Sequence, residues 1–145
     1  MDVIAELQAG CLTTSAEETI RLAERLAEVL PVDTALVLEG DLGAGKTTFV
    51  QGLARAWRIT DPVTSPTYAI YSLYRGERML IHIDAYRIEN PEEGDSLLIE
   101  DLLESPWNLA VEWPEKIDAW WLQGAWKLSL KRIAPGQHQL SLSLV

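Results

Sequence analysis

The sequence predicts an α/β fold with a largely parallel sheet flanked by helices, and three observations carry that reading. A short apolar run, "TALVLEG", stops at a glycine-rich loop, after which the hydrophobic spacing becomes helical. Further apolar runs, "RMLIHID" and "NLAVEWP", then alternate with non-strand segments, as in a sheet whose strands are joined by crossovers. The chain closes on two alternating segments, "KLSLKRI" and "HQLSLSLV", on either side of Ala134-Pro135-Gly136-Gln137, which reads as a C-terminal antiparallel hairpin. The 145 residues show no internal repeat, low-complexity tract or dividing linker, so residues 1–145 are expected to form a single domain.

Each element has a local reason. "TTSAEETIRLAERLAEVLP" opens with Thr14-x-x-Glu17 and Ser15-x-x-Glu18, both capping-box patterns. Apolar residues recur there at Ile20, Ala23, Ala27 and Leu30, one helix face, until Pro31 ends the run. Phe49, Val50, Leu53, Ala54 and Trp57 mark a second amphipathic helix after the glycine-rich loop. Asp61-Pro62 and Ser65-Pro66 punctuate a loop, and alternating Tyr68, Ile70, Tyr71 and Leu73 then predict a strand. Arg78–Asp84 is a further strand ending on an acid. "ENPEEGDSLLIEDLLES", bounded by Pro91 and Pro106, reads as a short acidic helix, and "NLAVEWP" as a strand ending on Glu112.

Composition limits the partners. The formal net charge is −10, from 12 Lys and Arg against 22 Asp and Glu. Binding to nucleic acid is driven by neutralising phosphates with cations, so any nucleic-acid substrate is expected to be held mostly by another protein. No apolar run approaches the ~20 residues of a membrane span. The start of the chain does not have the pattern of a signal peptide, and the single cysteine, Cys11, has no internal disulfide partner, so a cytoplasmic location is expected. Six tryptophans are many for this length, and four fall between Trp113 and Trp126. They admit two readings, ordinary packing or a docking patch.

The glycine-rich loop carries the chemistry. Gly40 to Thr47 is a full G-x-x-x-x-G-K-T match, preceded by a predicted strand and followed by a predicted helix, the context of a P-loop NTPase fold. Backbone N–H groups across Asp41, Leu42, Gly43, Ala44, Gly45, Lys46, Thr47 and Thr48 would cradle the phosphates of a nucleotide such as ATP. Lys46 would reach the β- and γ-phosphates, and Thr47 would offer its hydroxyl to Mg²⁺. Asp84 and Glu112 both end apolar runs, where parallel strands open into a ligand crevice, and either fits the acid that Mg²⁺ needs. His82, two residues before Asp84, shares its face of the strand and reads either as an orienting partner of Asp84 or as a structural histidine. Thr64, Ser65, Pro66 and Thr67 fit a nucleotide-sensing switch loop as well as an ordinary turn.

Four motifs in this order, "GDLGAGKTTF", "SPTY", "HIDAYRI" and "VEWP", resemble the TsaE (YjeE) family, and the likeness covers most of the chain. The resemblance implies an Mg²⁺-dependent ATPase, weak alone, that serves threonylcarbamoyladenosine formation in tRNA. It also implies TsaB and TsaD as partners, with tRNA engaged only through that complex and no membrane. Carried over by residue, Lys46 and Thr47 keep their phosphate and metal roles. Glu112 resembles the magnesium-binding acid and Asp84 a catalytic acid near the γ-phosphate. Ser65–Thr67 match a switch-like loop, and Trp113 matches a tryptophan near the nucleotide. The adenine slot is similar to a cleft between the first helix start, near Ser15–Thr19, and the hairpin turn, near Gly136. The chain departs from the family pattern at "SLLIED", where members often carry a Leu-Gly pair. Two other classes fit the loop alone. One is a small-molecule kinase, for which Arg75, Arg78 and Arg87 are the local arginines but no lid-length insertion is present. The other is a nucleotide-gated binding protein without useful turnover.

Overall fold

The computed structural model describes residues 2–41, 44–64, 71–86, 99–113 and 123–144. Along the chain these form α1 (Val3–Ala9), β1 (Cys11–Thr13), α2 (Ala16–Val29), β2 (Thr34–Glu39) and α3 (Lys46–Ala56). There follow β3 (Tyr71–Arg75), β4 (Met79–Asp84), α4 (Ile99–Leu102), β5 (Trp107–Glu112), β6 (Trp126–Ala134) and β7 (Gln137–Leu144). One sheet takes all seven strands in the order β1-β7-β6-β2-β5-β4-β3. The core is parallel, with β6, β2, β5 and β4 side by side, and both margins turn antiparallel. On one margin β7 folds back on β6 and β1 is added to β7; on the other, β3 pairs with β4. The α/β reading and the C-terminal hairpin are thus as the sequence predicts.

The margins hold what the periodicity did not announce. The first ten residues carried no helix expectation, yet α1 forms, because Asp2 accepts a hydrogen bond from the Ala5 N–H and Gly10 ends the helix at φ 100°. β1 is three residues long, too short for alternation to register. The expected strand around Tyr68 begins at Tyr71, with Tyr68 and Ile70 outside the described residues. Of the acidic segment, Ile99–Leu102 is helical and residues 89–98 lie outside the description. Trp120 and Trp121 lie outside it too, whereas Trp57 and Trp107 are buried.

Two apolar layers sandwich the sheet. On one face α2 and α3 bring Leu22, Leu26, Phe49, Val50 and Leu53 against Leu36, Leu38, Leu80 and Leu128. The helices come very close at Gly52, where any Cβ would lie 2.5 Å from that of Ala23. The second face gathers Val37, Ile81, Ile83, Leu109 and Val111 with Ile99 of α4. Every residue of β5 is buried, as expected of a central parallel strand covered on both sides. Among the described residues no helix is long and apolar enough to cross a membrane.

Candidate functional site

The site forms where β2, β4 and β5 end. β2 delivers the chain to Gly40 at a point pressed against β6, since a Cβ there would meet the Leu130 carbonyl oxygen at 2.5 Å. Only glycine lets the loop leave the sheet so close to its neighbour. The loop then tightens, with the Ala44 N–H donating to the Asp41 carbonyl at 3.0 Å. Gly45, left-handed at φ 96°, is the N-cap of α3 and has no side chain to cap it, so the helix start is left to its own N–H groups. Lys46 and Thr47 follow as the first helical residues, with Thr48 behind them. Leu42 and Gly43 lie outside the described residues, as do Ser65, Pro66 and Thr67 of the expected switch.

Lys46 is 6% exposed, and its ammonium group donates to the Gly40 carbonyl at 2.7 Å and lies 3.4 Å from Oε1 of Glu112. It also sits 4.9 Å from the ring centre of Trp113, a cation–π distance. Trp113 itself has φ 61°, an uncommon value for a bulky residue, and its ring packs at 5.2 Å against Tyr86. Parallel pairing of β4 with β5 sets Asp84 directly beside Glu112. One Asp84 carboxylate oxygen accepts the Tyr86 N–H at 3.0 Å, and the Ala85 N–H donates to the Glu112 carbonyl at 3.1 Å. Lys46, Glu112, Asp84 and Trp113 are therefore brought together.

His82 does not serve Asp84 as one sequence reading had it. It is fully buried, and its Nε2 lies 2.6 Å from Oε2 of Glu112 on the next strand. Residues two apart on one strand point the same way, but a neighbouring strand lies only about 4.8 Å off, so the cross-strand carboxylate is the better partner. Burial pushes the Glu112 carboxyl up, yet the His82 hydrogen bond, the imidazole's field and the Lys46 ammonium together outweigh it and hold it below its ordinary range. An ionised carboxylate only accepts, so His82 donates through Nε2–H.

Ser15 and Gly136, expected from the sequence at an adenine slot, lie at the start of α2 and in the turn between β6 and β7. Ser15 caps α2, its hydroxyl oxygen accepting the Glu18 N–H at 3.1 Å, while Glu18 accepts from the Thr14 N–H and hydroxyl. Gly136 is at φ 74° in the hairpin turn, with the Thr14 carbonyl 3.9 Å from where its Cβ would be. His138, not singled out from the sequence, has its ring 3.7 Å from a Cβ built on Gly45. A cavity of about 790 Å³ opens beside the loop, bordered by Gly40, Asp41, Ala44, Lys46 and Trp113, and on its far side by Ser129–Arg132 of β6. The only sequence signal for that far wall is the cationic pair Lys131-Arg132 in an otherwise acidic chain.

The family model described as "Threonylcarbamoyl adenosine biosynthesis protein TsaE" matches residues 13–139. A Nostoc sp. protein named "tRNA threonylcarbamoyladenosine biosynthesis protein TsaE" is 43% identical over 106 residues; the match covers 70% of this chain and 65% of that protein, just under two thirds of its length. A Bacillus subtilis protein of the same name is 34% identical, across 92% of this chain and 84% of its own. The crystal structure of Bacillus subtilis YdiB superposes with a TM-score of 0.74 at 29% identity, over 94% of this chain and 84% of that one. The chain belongs to the TsaE family.

Proposed function

We propose that the protein is an Mg²⁺-dependent ATPase subunit that works on a TsaB–TsaD partner in forming threonylcarbamoyladenosine in tRNA. Family membership supports the pathway, and one observation supports the chemistry: the loop lysine, Lys46, and the strand-end acid, Glu112, meet at 3.4 Å beneath a glycine-capped helix start. Gly40–Thr48 binds the triphosphate through backbone N–H groups, with Lys46 on the β- and γ-phosphates. Asp84, beside Glu112, is the catalytic acid near the γ-phosphate, and Ser65–Thr67 sense it. Ser15 and Gly136 border the adenine slot.

The donor set fits magnesium. Among the described residues no group of three or more His, Cys, Asp or Glu forms a self-sufficient metal cage. Magnesium is ordinarily held by one or two carboxylates with phosphate oxygens and waters, and here Glu112 and the Thr47 hydroxyl supply the protein's share. When bound, the metal neutralises charge on the phosphates during phosphoryl transfer. Glu112 accepts it as an ionised group, and Trp113 shields the Lys46 side of the site. With a net charge of −10 the chain leaves tRNA capture to its partners and works in the cytoplasm.

The test is ATP turnover by the purified chain, alone and with TsaB and TsaD. Slow turnover alone that rises on addition of the pair supports the proposal. Failure to associate with the pair by gel filtration, with or without ATP, removes the partner assignment. Association without any nucleotide turnover favours a nucleotide-gated binding protein.

A further inference from the structure

His82 is unusual for a core residue. It shows no exposure, it stands on the sheet face that carries Glu112, and its Nδ1 is buried without a hydrogen-bond partner among the described residues. A histidine kept for stability would satisfy both ring nitrogens, and an apolar side chain would fill the same space without leaving one unpaired. What His82 has that an apolar residue lacks is the 2.6 Å bond from Nε2 to Oε2 of Glu112.

Glu112 is held from two sides. Oε2 takes the imidazole, and Oε1 faces the Lys46 ammonium at 3.4 Å. The two holds differ in kind. His82 is fixed in the middle of β4, between Ile81 and Ile83, both fully buried. Lys46 sits at the end of a long stem in the phosphate loop, with partners at Gly40 and Trp113 besides Glu112. Phosphates bound on that loop compete for its charge. A buried carboxylate that loses one of two cationic or donor neighbours needs the other to stay in place.

We infer that His82 is a positioning residue that keeps Glu112 aimed by holding Oε2 while nucleotide phosphates draw Lys46 from Oε1, which frees that oxygen for the metal. The inference rests on the proposed metal role of Glu112. Lys46 and a bound metal would then neutralise Glu112 in turn, and His82 is the part of the site that does not exchange.

The experiment is calorimetric titration with a non-hydrolysable ATP analogue, in EDTA and in Mg²⁺, together with melting temperatures. Wild type binds in both, more tightly with Mg²⁺. His82→Ala still binds the analogue in EDTA, no more tightly than wild type, and loses about tenfold or more of the magnesium enhancement, the usual cost of removing a group that orients a metal ligand. His82→Gln, whose amide NH₂ falls near the place of Nε2, recovers much of the enhancement. His82→Asn, whose amide falls near Nδ1, does not. Full enhancement in His82→Ala, or equal loss in the Gln and Asn variants, overturns the inference and leaves His82 a packing residue. Enhancement that survives in Glu112→Gln, or is absent from wild type, overturns the metal role of Glu112 itself and the inference with it.

Discussion

β5 carries a buried polar residue toward each of its ends, Asn108 and Glu112, and the two ends are built differently. At the N-terminal foot, the Asn108 amide donates to the Pro31 and Thr34 carbonyls at 2.9 Å each, and its oxygen accepts from Arg78 at 2.9 Å. Arg78 also donates to the Leu30 carbonyl that ends α2, at 2.8 Å. Asp33 accepts from the Ser105 hydroxyl and the Trp107 N–H. Most partners there are backbone groups, and Asn108 uses both its amide nitrogen and its oxygen. At the C-terminal end, Glu112 is held by two side chains, the Lys46 ammonium and the His82 imidazole, Lys46 also donates to the Gly40 carbonyl, and among the described residues Nδ1 of His82 has no partner. Backbone partners cannot be exchanged without unfolding, whereas a side-chain cation can move to a new anion. The foot is a clamp and the top is the candidate site.

Substitutions at the two ends should therefore fail in different ways. The largest effect belongs to Lys46→Ala, which removes the one loop cation and should weaken ATP binding by about a hundredfold or more. Isothermal titration measures this directly, and unchanged affinity would take the triphosphate away from the loop. Asn108→Ala should do the reverse. It strands the Pro31 and Thr34 carbonyls and one Arg78 donor, at a cost of about 2 kcal/mol in unfolding free energy. Denaturant titration reads that loss, while nucleotide affinity of the folded fraction stays at the wild-type value. An Asn108→Ala protein of normal stability and weak ATP binding would erase the distinction between the ends.

The sequence made the top end legible because its chemistry is local. Gly40, Gly45, Lys46 and Thr47 lie within eight residues, and their spacing is a backbone geometry written directly in the chain. Asp84 and Glu112 could be found because each ends an apolar run, and register then sets them side by side. The bond from His82 to Glu112 was not legible, since it depends on which strands are neighbours and in what register. The foot was invisible for the same reason. Asn108, Asp33 and Arg78 are single polar residues at strand starts, and nothing in their spacing shows that the chain brings them together. α1 and β1 were hidden by length, seven and three residues being too few for a period to show.

The smallest prediction sharpens the comparison at a place where position and construction disagree. Glu18 lies in the first turn of α2 and is bonded to Thr14, whose carbonyl is 3.9 Å from a Cβ built on Gly136 of the hairpin turn, but it is built like the foot. Hydrogen bonds from the Thr14 hydroxyl, at 2.7 Å, and from the Thr14 N–H, at 2.9 Å, already engage both its oxygens. Those two bonds hold its carboxyl below the ordinary 4.5, the hydroxyl contributing first. A carboxyl depressed in the folded state adds stability that is complete above its unfolded value and is lost as pH falls through the folded one. The start of α2 should therefore keep its cap at neutral pH and loosen only below about 4.5, which the Thr14 amide shift reports by NMR. Glu18→Gln should flatten that titration and leave ATP affinity at pH 7 unchanged. If it weakens ATP binding instead, proximity to the loop outranks saturation, and the contrast between an exchanging site and a fixed clamp would need to be drawn by position alone.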